Sequence, residues 1–341
     1  MKNPTDFAKL VSGFLNSYLP NEKGASINTV KSYSYTFLLF IGYMRDVRKT
    51  SVNRLTIAYL NKDLVVEFLD WLQSTRNCGD ATRNQRLAAI SSFIKYIEYM
   101  TPASLYDCHQ ILSIPAKKKQ FKVMGYLSVD GMKLLLEQPD MNKTKELRDL
   151  AMLSLMYESA ARVQEIIDLS PSSLYISNKP YKVMLHGKGN KYRSVPLPPE
   201  QVQILKAYLD ESLLSKRENA EKPLFPNSQG LRLTRNGVNN ILMKYVKMAR
   251  EVDAGLLPEH LSCHSIRHSK AMALLEANVQ LIHIRDFLGH KSVLTTEIYA
   301  RVNPKYTFEA VKNAYKNITT DEVPVWEHSN ELMSMLKSLS K

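Results

Sequence analysis

Cysteine is scarce in this chain of 341 residues: Cys78, Cys108 and Cys263 are scattered and odd in number. That argues against a disulfide framework and against a paired-cysteine metal knuckle, and fits reduced thiols in a cytosol. Long apolar runs are missing too. No stretch of 18 or more apolar residues occurs, and the opening MKNPTDFAKL lacks a basic segment followed by an apolar one, so neither a membrane span nor a secretory signal is expected. A cytoplasmic protein with no membrane partner is the expectation. Acidic residues are in deficit, 33 Asp plus Glu against 46 Lys plus Arg, for a net charge of +13. The imbalance favours polyanionic partners, nucleic acid ahead of an anionic membrane, and the basic amphipathic helix that a membrane surface requires is not found.

What is present suffices for two cores. With 44% hydrophobic residues over 341 positions, two domains are expected rather than one. From about Phe7 to Tyr106 the pattern is helical. Val30, Tyr33, Phe37, Phe40 and Ile41 share a face between Ile27 and Tyr43; Leu64, Phe68, Leu69 and Leu72 form a second stripe; Leu87, Ile90, Phe93, Ile94 and Ile97 form a third between Ala81 and Met100. Arg83, Asn84 and Arg86 stand on the first turns of that third helix, where backbone N–H groups favour phosphate; the plain alternative is a solvated helix face. The stretch from Ser113 to Val123 has a proline, no helical stripe and four lysines, among them Lys117, Lys118 and Lys119. It reads as a linker and as a strap for a phosphate backbone. The expected divisions are a helical domain at 1–113, a basic linker at 114–124, a second, mostly helical domain at 125–318 whose first helix Ser128 would cap, and a tail at 319–341. In the tail, Leu332, Met335, Leu336 and Leu339 give an amphipathic helix over Glu327 to Leu339.

One stretch departs from helical habit. Between Leu174 and Leu197 the apolar residues alternate or come in short bursts, with turns at Ser177 to Pro180 and Gly187 to Asn190, which predicts a small antiparallel sheet of about three strands. The second turn places Lys188 at its tip, and Lys191 and Arg193 on the strand that follows join the DNA-binding candidates.

The last third of the chain carries the residues with chemistry. In Cys263-His264-Ser265-Ile266-Arg267-His268 a histidine and an arginine stand one helical turn apart, so both can reach one anion. Leu288-Gly289-His290 follows, and nine residues after that histidine comes Tyr299. Upstream, Arg162 follows Ser159-Ala160-Ala161 and precedes Glu165. Singly, each has a plain structural explanation: a polar helix start, a surface charge, a core aromatic. As an ordered set the sequence resembles the tyrosine recombinase, or phage integrase, family in its compact two-domain form. The resemblance extends to the hairpin LHGKGNKYRSVPL from Leu185 and to the helix segment NQRLAAISSF from Asn84, and covers about Phe7 to Tyr315. Departures are small: Ala161 stands where the family often has glycine, and Ser265-Ile266 fills the middle of the His-x-x-Arg box.

The resemblance implies a mainly α protein: a helical core-binding domain and a mostly helical catalytic domain with a small antiparallel sheet, closing as a C-shaped clamp around duplex DNA. It implies Tyr299 as the nucleophile that forms a 3′-phosphotyrosyl bond, Arg162 and Arg267 as clamps on the non-bridging oxygens, and Lys188 as the proton donor to the departing 5′-oxygen. His264 and His290 would be hydrogen-bonding or proton-transferring groups. Glu165 would orient Arg162, or be a solvated helix carboxylate, and His268 would support its helix. No metal, ATP or other cofactor is implied. The expected partners are double-stranded DNA at inverted-repeat sites, three further copies in a homotetramer, and an accessory directionality factor; the tail helix would dock on a neighbouring copy or pack on its own domain. The first domain starts within about ten residues, so no added arm-binding domain of the lambda-integrase kind is expected.

Rival readings differ in chemistry. His260, Cys263, His264 and His268 have spacing that could bind zinc in a nuclease. A type IB topoisomerase would use similar residues without exchanging strands, and an architectural DNA-binding protein would need none of them. Among recombinase roles, integration, excision or transposition of a mobile element is favoured over Xer-type dimer resolution by longer central loops and tail.

Overall fold

The computed structural model describes residues 4–101, 105–118, 125–187, 189–290, 292, 296–297 and 330–340. The chain divides into two compact units, Met1–Lys122 and Val123–Lys341.

The first unit is helical: α1 (Asp6–Gly13), running on into a wider π-helical stretch over Phe14–Glu22, then α2 (Ile27–Asp46), α3 (Lys62–Ser74), α4 (Asp80–Met100) and α5 (Leu105–Leu112). The helix starts follow from side chains that accept orphan N–H groups: Thr5 takes Ala8, Ser26 takes Thr29 and Asn61 takes Leu64. The stripes seen in the sequence meet in one core. Phe93 on α4 lies 4.9 Å from the Phe37 ring and 5.3 Å from Phe14, both edge-on, and Phe68 meets Phe40 at 5.2 Å. Phe93 is 1% exposed, so Phe93→Ala would cost on the order of 3–5 kcal/mol.

The second unit packs α6 (Val129–Leu136), α7 (Thr144–Glu158), α8 (Val163–Asp168), α9 (Pro199–Glu211), α10 (Arg235–Val252), α11 (Cys263–Glu276) and α12 (Leu281–Leu288). Ser128 caps α6 by accepting from Gly131 at 3.0 Å. The axis of this unit is α7, whose residues are buried continuously from Leu147 to Met156, as a helix enclosed on all sides requires. Its two buried charges are answered there: Arg148 donates to Asp149 and to the Pro226 carbonyl, and Tyr245 donates to Asp149 at 2.9 Å. A three-stranded antiparallel sheet, β1 (Leu174–Tyr175), β2 (Lys182–Gly187) and β3 (Lys191–Pro196), lies in the order β1-β2-β3. Register pairs Val183 with Val195, Leu185 with Arg193 and Gly187 with Lys191. A last helix, α13 (Asn330–Leu339), exposes Met333, Met335, Leu336 and Leu339. The architecture is mainly α with a small antiparallel sheet. Among the described residues no helix is long and apolar enough to cross a membrane.

Candidate active site

The site begins where α7 ends. Ser159, Ala160 and Ala161 are buried, and Ala160 adopts a left-handed conformation at φ 45°, which costs a residue with a Cβ about 1–2 kcal/mol. The reversal makes Arg162 the N-cap of α8. Three residues on, Glu165 reaches back: its Oε2 accepts from the Arg162 backbone N–H at 2.8 Å and its Oε1 from Arg162 Nη1 at 2.8 Å. That is the carboxylate half of a capping box; a guanidinium has no acceptor to offer the Glu165 N–H in return.

The same carboxylate binds a second arginine. Arg193 Nη1 donates to Glu165 Oε1 at 2.8 Å and Nη2 to Oε2 at 2.7 Å, a planar two-bond fork that lysine does not reproduce. Glu165 is 3% exposed at its side chain, Arg193 13% and Arg162 35%. The solvated alternative for Glu165 is therefore not found. Burial pushes its carboxyl pKa up, but the hydrogen bonds and charges of Arg193 and Arg162 outweigh that and hold it below the usual carboxylate range, as an ion is stabilised by well-placed donors.

A third arginine enters from α11. Arg267 is 1% exposed; its Nη1 donates to the Ala160 carbonyl at 2.7 Å, and its Nη2 to the carbonyl of Leu288, the last residue of α12. One guanidinium thus ties the α7–α8 turn to the end of α12, above a small apolar cluster of Ala160, Ala271, Met272, Leu275, Ile284 and Leu288. Gly289 ends α12 in the left-handed region at φ 63°, the usual helix-terminating use of glycine. His290 follows, its Nδ1 3.1 Å from Thr296 Oγ1. On α11, the His264 ring meets His268 edge-on at 4.4 Å.

The electrostatics bring these groups into one cluster. Burial first, then the charges of Arg267 and Arg162, with His264 and Arg193, lower the His290 pKa to about 4. Burial, then Arg267 and Arg162, lower that of His264; burial, then His264 and Arg267, bring His268 to about 4. His268 and His290 are accordingly neutral at pH 7 and leave the positive charge to the arginines. Tyr299, Lys188 and Lys119 lie outside the described residues.

For the zinc alternative, among the described residues no three His, Cys, Asp or Glu side chains are grouped to hold a metal ion.

The DNA-binding candidates divide. Lys118 and Lys191 are exposed. Arg83 is 5% exposed, and its Nε and Nη1 have no hydrogen-bond partner among the described residues, so the outward placement expected for it is not found. Arg86 donates to Ser32 O at 3.1 Å and Thr36 Oγ1 at 3.2 Å. Asn84 forms a reciprocal pair with the Lys117 backbone, donating to its carbonyl at 2.7 Å and accepting its N–H at 3.0 Å, while Lys117 Nζ donates to Gln73 at 2.6 Å. Two contributions escaped the sequence reading: the Arg193 fork on Glu165, signalled by Arg193 falling in phase with the inward Val195, and the Ala160 carbonyl, for which alanine gives no signal.

Residues 126–305 match the model of the phage integrase family, and residues 12–98 match its N-terminal SAM-like domain. The tyrosine recombinase XerD of Oceanobacillus iheyensis is 33% identical over 287 residues, 84% of this chain and 91% of that protein. XerC of Rickettsia canadensis is 31% identical over 304 residues, 87% of this chain and 94% of that protein. In fold, the chain is similar to the XerH site-specific recombinase bound to palindromic difH substrate, with a TM-score of 0.68 at 23% identity over 88% of this chain and 84% of that one. It is likewise similar to the Tn1549 transposon integrase in complex with transposon right-end DNA, with a TM-score of 0.68 at 12% identity over 89% of this chain and 98% of that one. The chain belongs to the phage integrase family, the tyrosine-type site-specific recombinases.

Proposed function

We propose that this chain cuts and rejoins duplex DNA through Tyr299, with Arg162, Arg267, His264, His290 and Lys188 as the reacting set. The observation that carries the reading is that buried Arg267, one turn after His264 on α11, donates to the Ala160 carbonyl two residues before Arg162 and to the Leu288 carbonyl two residues before His290. Attack by the Tyr299 oxygen forms a 3′-phosphotyrosyl bond and releases the 5′-oxygen, conserving the phosphodiester energy for the reverse step, so no nucleotide is consumed. Negative charge grows on the non-bridging oxygens, where Arg162 and Arg267 provide fixed positive charge. A neutral imidazole at His264 can accept the phenol proton, His290 can donate a hydrogen bond to the phosphate, and Lys188 protonates the leaving oxygen. Unit 1 serves as the core-binding domain, Lys118 there and Lys191 in unit 2 bind phosphates, and the DNA-bound state of the XerH and Tn1549 structures supports duplex DNA as the partner. The working assembly is a homotetramer on two inverted-repeat sites in the cytoplasm, aided by a directionality factor.

The finer role is integration and excision, or transposition, of a mobile element, supported by the amphipathic helix α13 after Tyr299 and its exposed apolar residues. Dimer resolution is favoured instead by the similarity to XerC and XerD. Trapping covalent adducts in cells and sequencing the attached DNA separates them. Adducts at junctions flanking the chain's own gene support the mobile-element role; adducts confined to one chromosomal locus overturn it. Recombinant products from two marked duplexes, rather than relaxed circles alone, exclude a topoisomerase.

A further inference from the structure

Arg193 has no reason of its own to face inward. It lies on β3 in phase with Val195, opposite the buried Leu185, on the side of the sheet where Val183 and Val195 are fully enclosed. A charge on that side is costly unless paired, and here it is paired on both terminal nitrogens with a carboxylate that is itself buried. The close fit depends on two glycines. A Cβ on Gly187, the last residue of β2, would stand 3.3 Å from Glu165 Oε1, and a Cβ on Gly289 would stand 3.2 Å from Arg193 Cδ. The hairpin root therefore sits directly on Glu165, with the end of α12 against the arginine stem.

The hairpin is stiffened beyond this root. His186 pairs with Asn190 Oδ1 at 2.7 Å across the turn and stacks on Tyr192 at 4.7 Å. Only Lys188, Gly189 and Asn190 separate the paired Gly187 and Lys191, so where the root is held decides where the tip can go.

We propose that Arg193 is a positioning residue for strand cleavage, registering the β2–β3 hairpin that carries Lys188 against the Glu165–Arg162 platform. The inference rests on the reading of Lys188 as proton donor to the 5′-oxygen. In cleavage the Tyr299 oxygen–phosphorus bond forms and the phosphorus–O5′ bond breaks, and the 5′-oxygen leaves with a proton. A sulfur at that position leaves as a thiolate and needs none, so a fault confined to proton delivery disappears on the sulfur substrate.

The test uses the full chain and nicked duplexes carrying a site recovered from random duplexes as wild-type covalent adducts, with the scissile 5′ atom either oxygen or sulfur. Single-turnover adduct formation is compared for wild type, R193Q, R193K and K188A, after melting curves confirm that each is folded. R193Q and R193K should cleave the oxygen substrate about 100-fold more slowly, a loss at the scale of a misplaced general acid. Both should bind the duplex within about threefold of wild type, since no phosphate contact is lost, and both should regain most of the rate on sulfur, as K188A does. R193K restoring the rate, or R193Q weakening binding with a shallower salt dependence, would show a phosphate contact and overturn the proposal. Recovery of K188A on sulfur without recovery of R193Q and R193K overturns the Arg193 proposal alone; failure of K188A to recover overturns the Lys188 reading.

Discussion

Glu165 Oε2 takes the backbone N–H of Arg162 and its Oε1 takes Arg162 Nη1, both at 2.8 Å, so one carboxylate fixes where the arginine's main chain turns and where its guanidinium points. Replacing it by an amide leaves Arg193 partly buried without a counter-charge, a loss of about 3 kcal/mol by analogy with broken buried pairs. Glu165→Gln should lower the urea midpoint accordingly and slow adduct formation more than it weakens DNA binding. An unchanged midpoint would mean that the carboxylate charge contributes nothing.

Acid should destabilise the second unit before it protonates most carboxylates. His268 and His290 have folded pKa values near 4, against 6.5 when free, so the unfolded chain binds more protons between those values and stability rises with pH across that window. It is complete above about pH 6.5 and is lost as pH falls toward 4. Thermal melts from pH 8 to pH 4.5 should show a falling midpoint with a shallower slope in His268→Gln. A wild-type midpoint that is flat down to pH 5 would contradict the neutral assignment.

Gly289→Ala should harm both fold and chemistry. The position is left-handed at φ 63°, where a Cβ costs about 1–2 kcal/mol, and that Cβ would press on the Arg193 stem at 3.2 Å. The expected result is a lower melting temperature together with a cleavage defect exceeding the effect on DNA affinity.

Asn84 holds the start of the linker rather than pointing free. Asn84→Ala removes both hydrogen bonds to the Lys117 backbone, each worth about 1 kcal/mol, so the Lys117 amide should exchange its hydrogen roughly tenfold faster while amides in the α4 core stay protected. Equal exchange in both proteins would contradict the latch.

Much of this was legible in the sequence. The stripes around Phe37, Phe68 and Phe93 have the helical period and became one core, and the alternation from Leu174 to Leu197 became the sheet. Arg83, although at a helix start, continues the stripe of Leu87, Ile90 and Ile94, and helical phase carries it inward with them. Strand phase similarly places Arg193 beside Val195, yet what it meets there, Glu165, is 28 residues away, and Asn84 meets Lys117 across 33. Such pairings depend on tertiary packing, which local pattern does not encode. The left-handed Ala160 was hidden because alanine carries no turn signal.

The central claim is that Tyr299 attacks the phosphate. Wild type and Tyr299→Phe are incubated in EDTA with nicked duplexes bearing the recovered site, gel shifts first confirming equal binding, and adducts that survive SDS are measured. The account predicts an adduct with wild type and none with Tyr299→Phe. An adduct of equal yield from Tyr299→Phe, or cleavage appearing only when zinc or magnesium is restored, would contradict it.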